Sequence, residues 1–259
     1  MTRTRQTVPR RLRWMVLGAL LLLGGAAGSL PGAQAAVTPE EELRVGQEAA
    51  AALESRFGRL VDPGRLRRVL SVGRRLETAA GRRPGGILFR ILDSPEFNAL
   101  ALPGGLIYVT RGLVDTVGSD DELAAALAHE MAHVLLGHTR QLLEEAPEER
   151  SIVLEVENPG PNGSVSRRVV RSEASTTVRD ARRKELDADR EALPLLKKAG
   201  FRPEAAVMML QRLKRPDERQ PTPGSERLNP ETRDFLSTHP TPDERIRNVQ
   251  TALRALRGG

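Results

Sequence analysis

The sequence predicts a mainly helical α+β domain. Three observations carry that reading. The chain has 259 residues, 39% hydrophobic and 29% charged, the make-up of a globular protein with room for one large domain or two small ones. Most of it divides into Ala-, Leu- and Glu-rich segments that open on capping residues and close at Gly or Pro. Outside residues 144–178, only two short runs, 87–92 and 106–110, have the apolar, β-branched character of strands.

Composition excludes several classes of function. There are no cysteines, so disulfides, thiolate metal sites and cysteine nucleophiles are out. Aromatic residues make up 3% of the chain, too few for the stacking platforms of single-stranded nucleic-acid binders. The net charge of +6 is mostly local: residues 1–35 hold five arginines and no acid, and the rest is nearly neutral. No nucleic-acid partner is expected on that balance. Nothing in the sequence specifies an oligomer.

Residues 1–35 read as a signal peptide. Arg3, Arg5, Arg10, Arg11 and Arg13 precede an apolar run from Trp14 to Leu23, a small-residue stretch, and Ala33-Gln34-Ala35. That is the basic, apolar and A-x-A order of a secretory leader, with cleavage after Ala35 or one residue later. The competing reading is a retained membrane anchor, but the run is short and Gly-rich for a span. The expected location is the periplasm; membrane association is allowed but not required.

Residues 36–259 then read as one domain. Thr38, Pro39 and Glu41 form a capping box that starts a helix running to about Arg56. Asp62-Pro63 starts a second, with Leu66, Val69, Leu70, Gly73 and Leu76 on its apolar face and a stop at Gly81 and Pro84. The two strands follow, with Pro103-Gly104-Gly105 as the turn before the second. Ser119 and Glu122 cap a third helix, which the composition extends to about Leu143. Residues 144–178 read as an inserted hairpin or flap, two apolar runs around a Pro/Gly/Asn-rich turn. A fourth helix runs from about Val178 to Ala199 and ends at Gly200, and a fifth runs from Pro203 to about Lys214. After a Pro-rich, charged loop, a last helix covers Pro242 to Arg257.

The chemistry is concentrated in His129-Glu130-Met131-Ala132-His133, in the middle of the third helix. Residues four apart on a helix differ by about 40°, so both imidazoles leave from one face and can share one Zn²⁺. Glu130 is turned by about 100° from His129, beside the metal, where it can take a proton from the water the ion holds. Two histidines and a glutamate buried mid-helix without a metal or partners would be costly. A hydrolytic zinc needs a third protein ligand and an open position. His138 is five residues past His133, about 140° away on a continuous helix, and reads as an outward or supporting residue. Glu185 and Asp189, four apart on the fourth helix, present two carboxylates from one face. Glu185 is assigned as third ligand and Asp189 as the group that orients a ligating histidine. Asp187 faces elsewhere. The bland alternative for this stretch is a solvated charged helix face.

In this order, H-E-x-x-H followed by E-x-x-x-D resembles the M48 family of zinc metallopeptidases, which includes membrane-spanning HtpX-type and periplasmic BepA-like proteases. Three further segments carry the resemblance: Asn98 to Val109 (N-A-L-A-L-P-G-G-L-I-Y-V), Ala199 to Pro203, and Thr238-His239-Pro240 with Arg245-Ile246. Leu100 stands where the family usually has Phe. The resemblance implies a gluzincin-type fold with a small sheet beside the zinc helix, and one Zn²⁺ per chain. It implies an edge strand that takes substrate by backbone hydrogen bonds, for which Leu106, Ile107, Tyr108 and Val109 are the candidates. It implies a role for His239 as oxyanion stabiliser or displaceable ligand, and for Arg245 as partner of a carboxylate near the site. The chain lacks the membrane spans of HtpX-type members and the TPR domain of BepA-like ones, which points to a soluble envelope member. The expected function is a zinc metalloendopeptidase acting on unfolded or misfolded envelope proteins. The alternative is a non-catalytic or latent zinc-containing peptide-binding protein or chaperone.

Overall fold

The computed structural model describes residues 21–22, 36–83, 85–144, 153–154, 178–213 and 240–258. Helix α1 spans Pro39–Phe57 and α2 spans Pro63–Ala79. Both start on the expected caps. The Thr38 hydroxyl accepts from Glu41 N at 3.2 Å while the Glu41 carboxylate accepts from Thr38 N at 3.0 Å, and the Asp62 carboxylate accepts from Arg65 N at 2.7 Å. A two-residue antiparallel ladder pairs β1, Leu21–Leu22, with β5, Val153–Leu154. The partner run expected at 165–170 lies outside the described residues, as do most of residues 1–35 and 144–178.

The main sheet has three strands: β2, Leu88–Leu92; β3, Ala99–Leu102; and β4, Leu106–Thr110. Their order is β2-β4-β3, with β2 parallel and β3 antiparallel to β4. This corrects the sequence reading of Leu106, Ile107, Tyr108 and Val109 as an edge strand. β4 is the central strand, its backbone hydrogen-bonded on both sides and all five residues buried. Ile107 and Val109 face the core shared with α2, while Leu106 and Tyr108 face Ala49, Ala50 and Leu53 of α1. Burial on both faces is why this segment reads as an unbroken apolar run, a pattern that cannot separate centre from edge. β3 supplies the second edge. It escapes propensity rules because Ala-Leu-Ala-Leu favours helix, and the Pro103-Gly104-Gly105 turn overrides that preference. Gly104 and Gly105 have φ of 76° and 77°, which side chains rarely tolerate, and fold β3 back on β4. The outer edge of β2 is partly covered by the chain at 58–60. Among the described residues no strand pairs with the outer edge of β3, and that strand packs against the next long helix.

Thr110 caps a short helix, α3, Arg111–Thr116. The central helix α4 follows, Asp120–Leu135, capped by Ser119. Every residue from Glu122 to Ala132 is buried, so α4 is a core helix with no solvent face over those three turns. Ala124, Ala125, Ala126, Ala128 and Ala132 let α2, β3, α6 and α7 close around it. Leu123, Leu127 and Met131 fill the gaps, each worth roughly 2 kcal/mol of buried apolar surface. The helix does not continue to Leu143. It stops at Leu135, Gly137 takes φ of 71°, and α5 begins at His138 and runs to Glu144. Helix α6 spans Val178–Lys198, α7 spans Ala205–Leu213 and α8 spans Pro242–Gly258. Arg182 pairs with Glu244, Asn248 Nδ2 donates to Leu186 O at 2.9 Å, and Arg190 Nε donates to Asn248 Oδ1 at 3.0 Å. These contacts stitch α8 along α6, which itself packs on α4. No helix among the described residues is long and apolar enough to cross a membrane.

Candidate metal centre

Helix α4 brings His129 and His133 to the surface of α6 that carries Glu185 and Asp189, and α8 adds Arg245. Nε2 of His129 lies 3.2 Å from Nε2 of His133. Glu185 reaches both rings, Oε2 at 3.5 Å from His129 Nε2 and Oε1 at 3.4 Å from His133 Nε2. Among the described residues, His129, His133 and Glu185 are the group whose donor atoms converge as a metal site would require, all within 4.8 Å of one another.

The donor set fits a tetrahedral ion. Bonds of about 2.0–2.1 Å place tetrahedral donors about 3.3–3.4 Å apart, close to the separation of the two histidine nitrogens and to the distance from each of them to its nearer Glu185 oxygen. Two imidazole nitrogens facing each other also repel unless a proton or cation lies between them. The site is also rich in buried ionisable groups. Glu130, Glu185 and Asp189 are three buried carboxylates, at 6%, 9% and 4% exposure, and Arg245 is the cation buried with them.

The surrounding hydrogen bonds orient the ligands. Asp189 Oδ1 lies 3.0 Å from His129 Nδ1. Arg245 holds Asp189 in a two-pronged pair, Nη2 to Oδ1 at 2.7 Å and Nε to Oδ2 at 2.9 Å, and its Nη1 lies 3.2 Å from Glu185 Oε2. The Nη2 atom is also 3.1 Å and 3.2 Å from the two ring nitrogens of His129, so the guanidinium lies against that ring. Burial disfavours the ionised carboxylates. The adjacent Arg245 outweighs it, holding Glu185 well below the usual carboxylate range and Asp189 below its own. Burial and Arg245 likewise oppose a charged His129, but its hydrogen bonds to Asp189 and Glu185 prevail and push it up to about 9. Arg245 is buried yet held firmly charged by Asp189 and Glu185. Glu130 behaves differently: burial pushes its carboxyl up, with only partial relief from the neighbouring histidines. It is the one carboxylate of the three whose affinity for a proton is increased.

His138 is drawn into the site. It is 7% exposed, and its Nδ1 lies 3.1 Å from Nδ1 of His133. Burial and the facing His133 push it down to about 4. Spacing along a continuous helix hides this contact; the signal that could have revealed it is Gly137, a helix terminator directly before His138. Asp187 is half-buried and turns away, 3.3 Å from Arg190 and 3.8 Å from Arg183. His239 lies outside the described residues. Leu106, Ile107, Tyr108 and Val109 are sealed in the sheet and not available to a peptide backbone. Tyr108 donates to Glu54 Oε1 at 2.6 Å and accepts from Arg90 Nη1 at 3.1 Å; burial pushes its hydroxyl up to about 12.

Comparison with known proteins places this arrangement. The family model described as Peptidase family M48 matches residues 63–253, which contain every described residue of the site. The chain is 28% identical over 156 residues to the mitochondrial metalloendopeptidase OMA1 of Saccharomyces cerevisiae, covering 60% of this chain and 43% of that protein. It is 22% identical over 226 residues to the beta-barrel assembly-enhancing protease of Escherichia coli K12, covering 84% of this chain and 45% of that protein. It is 25% identical over 170 residues to metalloprotease LoiP of the same organism, covering 64% of this chain and 63% of that protein. The chain thus spans less than half the length of the first two relatives.

Proposed function

The chain belongs to peptidase family M48, and from that premise we propose that it is a zinc-dependent endopeptidase that cleaves unfolded or misfolded proteins of the cell envelope. The observation that carries the reading is the convergence of donor atoms from His129, His133 and Glu185 within 4.8 Å of one another, with Glu130 next to His129 on the same helix. A zinc ion bound there supplies a Lewis acid that acidifies water and polarises a peptide carbonyl.

The chain's own residues do the rest. Glu130 accepts the proton of the attacking water and passes it to the nitrogen of the departing amine, so one carboxylate serves as base and then as acid. Burial raises its proton affinity, which brings it toward the pH at which such a transfer is most efficient. Asp189 fixes the ring of His129, and Arg245 keeps Asp189 and Glu185 ionised and in place. With β4 occupied on both sides, the strand proposed to receive substrate is β3, whose outer edge has no ladder partner among the described residues and which packs on α4. Pairing through backbone groups tolerates many side chains, in keeping with unfolded substrates. The envelope location is supported by the basic, apolar and A-x-A order of residues 1–35.

One experiment tests the whole reading. Wild type and Glu130→Gln are expressed with residues 1–35, recovered from the periplasmic fraction, analysed for zinc, and assayed on a reduced, unfolded protein. Both variants are expected in that fraction with one zinc each. Wild type cleaves, and the Gln variant is slower by about 10²–10⁴-fold, the usual worth of a general base. Equal cleavage by both removes the peptidase mechanism. Zinc without cleavage in wild type leaves a zinc-containing peptide-binding protein.

A further inference from the structure

We propose that His138 is a positioning residue for the metal site: its imidazole accepts the Nδ1–H of His133 and thereby fixes that ring's tautomer and angle. The inference rests on the reading of His133 as a ligand through Nε2. That atom faces His129 Nε2 and Glu185 Oε1. A neutral imidazole that offers Nε2 to a cation carries its proton on Nδ1, and that proton needs an acceptor. The atom opposite is His138 Nδ1, at 3.1 Å. Two nitrogens at that distance make a hydrogen bond only if one is protonated, so His138 presents a lone pair at Nδ1 and keeps its own proton on Nε2.

The backbone is shaped to make this contact. The last turn of α4 closes with Leu136 N donating to Ala132 O at 2.9 Å and Gly137 N to Val134 O at 3.2 Å. Gly137 then turns left-handed, and α5 starts at once with His138. On an unbroken helix, side chains five apart diverge by about 140°. The glycine cancels that divergence and returns the second ring to the first.

The chemical type of the acceptor also makes sense. The two ligating rings are held differently: His129 by a carboxylate, His133 by another imidazole. Three carboxylates, Glu130, Glu185 and Asp189, are already buried at the site. A carboxylate behind His133 would add a fourth. A neutral imidazole gives orientation without adding charge.

The test compares wild type, His138→Leu and His138→Asn as full chains. Zinc affinity is measured by competition with a chromophoric chelator, and the Co²⁺-substituted forms are compared by visible spectrum. Thermal unfolding of the metal-free chains provides the structural control. The Leu variant is expected to lose affinity by about 10–100-fold and to change the Co²⁺ bands. Asn places Oδ1, an acceptor, where Nδ1 stood, and is expected to stay within about threefold of wild type. The metal-free chains should melt alike. A Leu variant that binds zinc as wild type does overturns the inference, as does an Asn variant that falls as far as Leu. If His138→Leu does not fold, His138→Ala takes its place in the same comparison. Wild type that binds no zinc removes the metal-centre reading itself, whereas wild type that binds zinc but cleaves nothing removes the peptidase reading alone.

Discussion

At the scale of single residues, the site divides labour among three carboxylates by their surroundings. Glu185 and Asp189 lie against Arg245 and stay ionised, which suits a ligand and an orienting group. Glu130 is pushed toward protonation by burial, with Arg245 and the histidines offsetting it only in part, which suits a base. The same environment makes Asp189 a point of failure. In Asp189→Asn the side chain keeps its shape but loses its charge, leaving Arg245 buried with half its compensation and His129 without the carboxylate at its Nδ1. Breaking a buried pair in this way costs about 3–5 kcal/mol, and loss of an orienting group costs about 10–100-fold in metal affinity. Both effects should appear together, a lower melting temperature of the metal-free chain and a weaker zinc titration. A variant that loses neither would show that the Arg245–Asp189–His129 chain is incidental.

At the scale of elements, the site depends on how α4 is held. Its N-terminal end is anchored through Glu122, which is 2% exposed and accepts from Gly118 N at 3.2 Å and from the guanidinium of Arg212 on α7. Burial opposes ionisation of Glu122, but the Arg212 and Gly118 bonds win and hold its carboxyl below the ordinary 4.5. A carboxyl depressed in the folded state adds stability above its unfolded value and loses it as pH falls through the folded one. Glu122→Gln should therefore cost about 2 kcal/mol at pH 7, the worth of hydrogen bonds to a charged group, with the gap to wild type closing below pH 4.5. Chemical denaturation of both chains across pH 3–7 reads this directly; a gap that widens in acid would contradict it.

Sequence and structure part company among these same elements, and the reasons are physical. The caps of α1, α2 and α4 are local, set by residues three apart, and are therefore legible. So are the pairs His129/His133 and Glu185/Asp189, because helical periodicity puts each on one face before any tertiary contact is known. Strand order is not local. Nothing between Leu106 and Thr110 states that β2 and β3 will bracket it, so the central strand was open to being read as an edge. His138 is hidden in the sequence because the helix-forming composition of 119–143 masks the single break at Gly137.

At the scale of the whole molecule, three helices from distant parts of the chain meet at one point. Positions 129, 185 and 245 are brought within hydrogen-bonding range because α6 packs on α4 and α8 is laced along α6, from which Arg245 reaches across to His129. That convergence gathers Glu130, Glu185, Asp189, His129 and Arg245 in the interior, around the point where donor atoms for a metal come together. The most direct test is a crystal of the zinc-loaded protein measured on both sides of the zinc absorption edge. A single anomalous peak bonded to His129 Nε2, His133 Nε2 and a Glu185 oxygen is the predicted result. A peak elsewhere, or one at the histidines with Glu185 turned away, would contradict the account.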